Sequence, residues 1–151
     1  MANREKHSIY GGASGVAVAT YGARDQDLDN FLAELIGGGI GGVLGSRVPD
    51  VLEPAFHDPR HRSIAHSYTF AAYWLEVVYQ NASSWQQYCR LEAERHGRIR
   101  LSSNDGWSRF WHSLMSFVWH FLSGFAVGVV AGYLSHLVLD AGTPRSIPLL
   151  A

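Results

Sequence analysis

The segment that most constrains this chain is an uncharged stretch of 23 residues, Phe117–Leu139. As a helix it is long enough to cross the hydrocarbon core of a bilayer. Its glycines, Gly124, Gly128 and Gly132, are spaced four apart, a pattern that lets a second helix approach closely in lipid or in a protein core. The segment therefore predicts either a membrane span or a glycine-rich buried helix of a soluble bundle, and both interpretations stay open at the level of sequence.

Two earlier stretches, Ser8–Tyr21 and Phe31–Ser46, are also small and apolar. The second carries six glycines, and each weakens an isolated helix by up to about 1 kcal/mol, so such a helix persists only if packing compensates. Pro49 is expected to end it and to open a loop that runs to Arg62. The pattern predicts an all-α fold, a compact helical bundle of glycine-rich, closely packed apolar helices forming a single domain over residues 1–151.

The second half of the chain also has helical periodicity. Helices are expected over Ile64–Gln80 and Trp85–Arg100, the latter exposed and amphipathic. The apolar stretch Trp107–Asp140 predicts one long helix, or two shorter ones that meet near Ser123-Gly124.

Charge and cysteine content narrow the function classes. Twelve Lys and Arg against 13 Asp and Glu give a net charge of −1, which offers no argument for a nucleic-acid partner. Cys89 is the only cysteine, so a thiolate zinc motif is excluded and any metal must be held by nitrogen and oxygen. The first residues lack the apolar core of a secretory signal, and we expect the chain to stay on the cytoplasmic side.

His136 and Asp140 stand four residues apart within the last apolar stretch. On a helix they lie one above the other on the same face. An imidazole and a carboxylate in this arrangement make half of a metal site, and burying them in so apolar a segment is costly unless something binds them.

A second group of ligand-type residues lies upstream, in and just after the Pro-rich loop: Asp50, His61 and His66, with Glu53 between them. First-row divalent metals accept imidazole and carboxylate ligands, and a hydrolytic centre keeps a position for water. The competing interpretation is a solvated loop in which Asp and Pro only form turns. Taken with His136 and Asp140, the group predicts one metal centre that the fold closes.

The remaining histidines are weighed singly. His7 precedes an apolar glycine-rich helix and is a weaker candidate ligand on spacing alone. His112 and His120 lie among Trp and Phe and predict an aromatic packing surface, or an interface belt if lipid is present. His57 and His96 are expected to be solvated.

At these residues the chain resembles the bacterial family of predicted membrane-bound, metal-dependent hydrolases that includes the LexA-regulated inner-membrane hydrolase. The resemblance rests on His7 before small residues, Pro49-Asp50, a His-Arg-x-x-x-His-Ser motif at 61–67, and a Gly-Tyr-x-x-His-x-x-x-Asp motif at 132–140 followed by Thr143-Pro144. Order and spacing match from end to end, and residues 81–109 match least.

The resemblance implies a helical metallohydrolase of the bacterial inner membrane or its cytoplasmic face, with a soluble cytoplasmic protein as the alternative. It strengthens His7 as a ligand and implies one or two divalent ions, zinc first. The expected metal ligands are His7, Asp50, His61, His66, His136 and Asp140.

One position departs from the family pattern. Leu52 stands where relatives carry a second Asp, and Glu53 follows it, so Glu53 either substitutes with a longer reach or one metal position is lost. Glu53 is the expected general base or bridging ligand, and Arg62, with Arg60 second, is expected to bind negative charge on the substrate.

Ser67 and Thr143 are expected to orient ligating imidazoles. A looser similarity to zinc-dependent phospholipase C favours a phosphoester, carried by a small molecule or a lipid. The alternative is a non-catalytic helical membrane or interaction protein with a structural metal site, or a buried polar network without metal.

Overall fold

The structure, a computed structural model, describes residues 4–52 and 68–141, and these are almost entirely helical. Their elements, in chain order, are α1 (Arg4–Ala23), α2 (Leu28–Gly45), the short α3 (Val48–Leu52), α4 (Tyr68–Ser102) and α5 (Gly106–Ala141). The four long helices pack closely, so the predicted all-α bundle is confirmed.

The boundaries differ from expectation in two places. α4 runs unbroken through the polar stretch where two helices were expected. Asn81 and Ser84 stay within the helix, and their side chains donate hydrogen bonds to carbonyls one turn back, at Val77 and Gln80. Pro49 does not open a loop directly: it lies in the first turn of α3, where its missing N–H costs nothing. α5 is one helix of 36 residues, the first of the two alternatives for this stretch.

α2 is the central helix, and one of its glycine rows lies against α5. An added Cβ at Gly37, Gly41 or Gly45 would overlap the backbone of Phe121, Phe125 or Val129. The residue numbers on both helices increase together from one contact to the next, so α2 and α5 run parallel. The α5 glycines complete the contact from the other side, because a Cβ at Gly128 would overlap the carbonyl oxygen of Gly38. Backbones meet here without intervening side chains.

The other glycine row of α2 receives α1. Cβ atoms built at Gly11 and Gly15 would overlap the backbone of Gly42 and Gly38. The packing requirement anticipated for a helix with so many glycines is therefore met on two sides. The consequence is that the ends of α1, α2 and α5 are held close together where the candidate ligands lie.

The side of α2 that faces away from the bundle is apolar. Leu32, Ile36, Ile40 and Leu44 follow one another at a spacing of four residues, and each is between 42% and 47% exposed. In water such a stripe is an interaction or aggregation surface, whereas in a bilayer it meets lipid. Two helical stretches, Leu28–Val51 and Gly106–Asp140, are long and apolar enough to cross a membrane.

A substitution at the α2–α5 contact tests this packing. We expect Gly128→Ala to destabilise the protein by about 1–3 kcal/mol, because the new methyl group overlaps backbone atoms that cannot yield without moving a helix. Gly97→Ala is the matched control: nothing lies within 4 Å of its added Cβ, and the higher helix propensity of Ala should stabilise α4 slightly. Denaturant-induced unfolding in detergent micelles measures both changes, and equal stability of the two variants would contradict close backbone packing.

Candidate metal centre

Three elements, α1, α3 and α5, meet at one end of the bundle and bring the candidate ligands together. His7 lies near the start of α1, Asp50 lies in α3, and His136 and Asp140 lie in the last turns of α5. His7, His136 and Asp140 are all buried. Their ligand-type atoms lie within 4.8 Å of one another, in an arrangement that can hold a metal ion.

The orientation of His136 is set by the end of α2. Its Nδ1 lies 2.6 Å from the carbonyl oxygen of Ser46. A carbonyl only accepts, so Nδ1 must carry the proton and donate it. In the neutral form of the ring this places the lone pair on Nε2, which is how a backbone carbonyl prepares a metal-ligating histidine.

The other members lie around Nε2 of His136. The Asp140 Oδ2 is 3.4 Å from this nitrogen, and the second oxygen of the same carboxylate is 3.5 Å from Nε2 of His7. The two imidazole rings stack with centroids 4.0 Å apart and planes inclined by 23°. One carboxylate thus bridges two imidazole nitrogens.

Asp50 approaches from α3, with Oδ1 3.7 Å from Nε2 of His136, and its side chain is 40% exposed. Zinc bonds to nitrogen and oxygen of about 2.0–2.2 Å separate the ligands of a tetrahedral ion by roughly 3.3–3.6 Å. The separations of 3.4 and 3.5 Å within the His7, His136 and Asp140 group fall in that range, and the 3.7 Å separation of Asp50 is slightly longer. The donor set, two imidazoles and two carboxylates, also suits a borderline first-row cation.

The described part of the chain therefore gathers four of the six predicted ligands: His7, Asp50, His136 and Asp140. The other predicted site residues, Glu53, Arg60, His61, Arg62, His66, Ser67 and Thr143, lie outside the described residues, as does His57. Asp50 is followed within three residues by the segment that carries most of them.

A second buried polar cluster lies toward the opposite end of the bundle. The carboxylate of Glu34 is fully buried and receives two hydrogen bonds from Arg90, at 2.8 and 2.6 Å. His120 Nδ1 lies 3.1 Å from Oε1 of the same carboxylate, and Arg90 also donates to the carbonyl of Gly22. The cluster ties α4 to α1, α2 and α5 through charge-assisted bonds.

This cluster corrects the expectation for His120. The residue is 2% exposed and contacts a carboxylate, so it does not belong to an aromatic surface. The sequence signal was Glu34 itself, a lone acid within the apolar, glycine-rich second helix. A charged residue within a potential membrane span requires a partner, and that argument could have been applied to it.

The expectation for His96 was also wrong. Its ring is half-buried, and its Nδ1 lies 2.7 Å from Nδ1 of His112, between α4 and α5. Burial, and then the neighbouring His112, lower the pKa of His96, while Glu92 opposes them. The pair is one more contact between α4 and α5, near the short connection that joins the two helices.

Fold and site together define a class: a helical membrane protein with a buried His/Asp cluster at one end of its bundle. The chain belongs to the YdjM inner membrane protein family, whose model matches residues 1–151. Comparisons with curated proteins and with solved structures gave no match. The family places the protein in the bacterial inner membrane, so of the two locations left open by the sequence the membrane is the correct one.

Replacing Arg90 tests the second cluster. We expect Arg90→Ala to cost about 3–5 kcal/mol of unfolding free energy, because it leaves the Glu34 carboxylate buried without its main cation. Arg95→Ala, which removes an exposed ion pair with Glu92 on the same helix, should change stability little. Unfolding of both variants in detergent decides the matter, and a small effect of Arg90→Ala would mean that Glu34 is not held as a charged group.

Proposed function

We propose that this protein is a metal-dependent hydrolase of the inner membrane. In this proposal one or two divalent ions, zinc first, are held by His7, His136 and Asp140 with Asp50, and by His61 and His66. The observation that carries it is the convergence of His7, His136 and Asp140, from the two ends of the chain, to within 4.8 Å in a buried position. Ionisable groups within apolar membrane helices are costly and mark functional sites by default.

The chain's own residues have distinct tasks in this proposal. The Ser46 carbonyl keeps the proton of His136 on Nδ1 and leaves Nε2 as a ligand. The charges of Asp140 and Asp50 attract the cation, and burial of three of the four groups excludes competing water. A cation held by these residues would supply a water of lowered pKa and would polarise the scissile bond.

Three residues of the 53–67 segment complete the proposed site. Glu53 would act as the general base toward water or as a further carboxylate ligand of the metal. Arg62 stabilises negative charge that develops on the substrate, and Ser67 orients a ligating imidazole. Thr143, beyond the end of α5, has the same orienting task.

A phosphoester is the proposed substrate class, because two arginines, Arg60 and Arg62, flank the expected ligand His61. Guanidinium groups bind phosphoryl oxygens in pairs. A lipid phosphoester and a small-molecule phosphoester are both members of this class.

A structural metal site is the second candidate, and one observation favours it. Four protein groups, His7, Asp50, His136 and Asp140, already suffice for a closed tetrahedral shell. Such a site would join α1, α3 and α5 and would leave no position for water.

Three variants of the purified protein distinguish these functions. We expect the zinc-loaded protein to hydrolyse a nitrophenyl phosphoester, and His136→Ala to lose both its metal and its activity. Glu53→Gln should keep its metal while the rate falls by about 100-fold or more, as for loss of a general base. His112→Ala, a histidine of the same helix outside the cluster, should keep both metal and activity.

Two outcomes would overturn the hydrolase. Stoichiometric metal that raises the melting temperature, with no hydrolysis across a panel of phosphoesters and carboxylic esters, would establish the structural site. A protein whose stability and composition are unchanged by chelator would contain a polar network without metal.

A further inference from the structure

α4 lies beside the membrane-spanning part of α5, although it is not itself apolar enough to be a candidate span. The two helices run antiparallel, and their register is fixed by the contact of Tyr88 with Trp119 and of His96 with His112. Residues 80–88 of α4 therefore lie at the depth of roughly residues 120–128 of α5. This is the depth at which the glycine rows of α2 and α5 meet.

A continuous exposed stripe runs along α4, and its middle lies at that depth. The intervals between successive residues of the stripe alternate between four and three, the spacing with which one helix packs against another at a small crossing angle. All eight are exposed: Tyr73, Val77, Gln80, Ser84, Gln87, Leu91, Glu94 and Arg98. We call these eight residues the α4 stripe.

The middle of the α4 stripe is polar. Ser84 donates to the Gln80 carbonyl, but among the residues that the structure describes no group bonds to the side-chain amides of Gln80 and Gln87. At the same depth on the other side of the bundle, α2 exposes only aliphatic residues such as Ile36, Ile40 and Leu44. Unbonded amides facing hydrocarbon are costly, so one side of the bundle suits lipid and the other does not.

We propose that the α4 stripe is the interface with a second copy of this chain, related by a two-fold axis along the membrane normal. Such an axis places each residue beside its own counterpart at the same depth. A primary amide both donates and accepts, so Gln80 and Gln87 each find a complementary partner in themselves. Interhelical bonds of this kind hold membrane helices together.

The end of the stripe beyond the hydrocarbon fits the same arrangement. Glu94 and Arg98 lie one turn apart, 3.9 Å from each other within one chain and 58% and 72% exposed. Across a two-fold axis, each carboxylate comes within reach of the guanidinium groups of both chains. The charges of Glu94 and Arg98 therefore favour the same alignment of the two α4 helices as the amides of Gln80 and Gln87.

Cysteine cross-linking in native membranes tests the dimer. Two variants are compared in a Cys89→Ala background, which removes the single native thiol, itself buried. Ser84→Cys places a thiol at the centre of the stripe, and Ile40→Cys places one at the same depth on the lipid-facing side of α2. Under mild oxidation we expect a disulfide-linked dimer from Ser84→Cys and only background from Ile40→Cys, because a disulfide needs Cβ atoms within about 4.5 Å.

A second measurement guards against a variant that fails to fold. The wild-type protein in mild detergent should have the mass of two chains, and Gln80→Leu with Gln87→Leu should reduce the cross-linking of Ser84→Cys by about fivefold or more.

The proposal is overturned by a one-chain mass with no Ser84→Cys dimer, by equal cross-linking at both positions, or by a cross-link to a different protein. Rapid labelling of Ser84→Cys by a membrane-impermeant maleimide would also overturn it, because the stripe would then face water.

Discussion

The close contact of backbones along α2 is the constraint on which the rest of the structure depends. With no side chains between them, α1 and α5 lie against neighbouring glycine rows of the same helix, and Gly38 and Gly42 contact both of them. The last of these contacts, at Gly42 and Gly45, comes just before Ser46. The packing thereby brings the carbonyl of Ser46 within hydrogen-bonding distance of His136. It also brings Ser46 close to Gly11, which lies one helical turn after His7 in α1. The glycines therefore position the ligands as well as the helices.

Two buried polar clusters lie along α5, at His120 and His136, about 24 Å apart by the rise of the helix. They differ in how their charge is balanced. Glu34 is matched by the guanidinium of Arg90, a partner that is always a cation, so this cluster is complete with protein groups. In the His7, His136 and Asp140 cluster the groups are a carboxylate and imidazoles, whose oxygen and nitrogen atoms are of the kinds that can bind a metal ion. The first arrangement suits a structural tie and the second suits a bound cation.

Helix periodicity and glycine spacing were enough to predict the bundle, since both follow from local sequence. Spacing also identified His136 and Asp140 as neighbours, because an interval of four residues has a fixed meaning on a helix. The approach of His7 depends on how α1 packs and could only be suggested by family resemblance. The partners of Glu34 were not predicted, because Arg90 is 56 residues away and the polar stretch around it indicated an exposed helix. Long-range pairing of single polar residues has no periodic signature.

Metal coordination is the most direct test of the central claim, that groups from both ends of the chain bind one cation. X-ray absorption spectroscopy of the purified protein with one equivalent of zinc measures the ligand atoms and their distances. We predict nitrogen and oxygen neighbours at about 2.0–2.1 Å, with the multiple scattering of at least two imidazoles, one of which is lost in His136→Ala. A spectrum with oxygen neighbours alone, or one unchanged by that substitution, would contradict the metal centre.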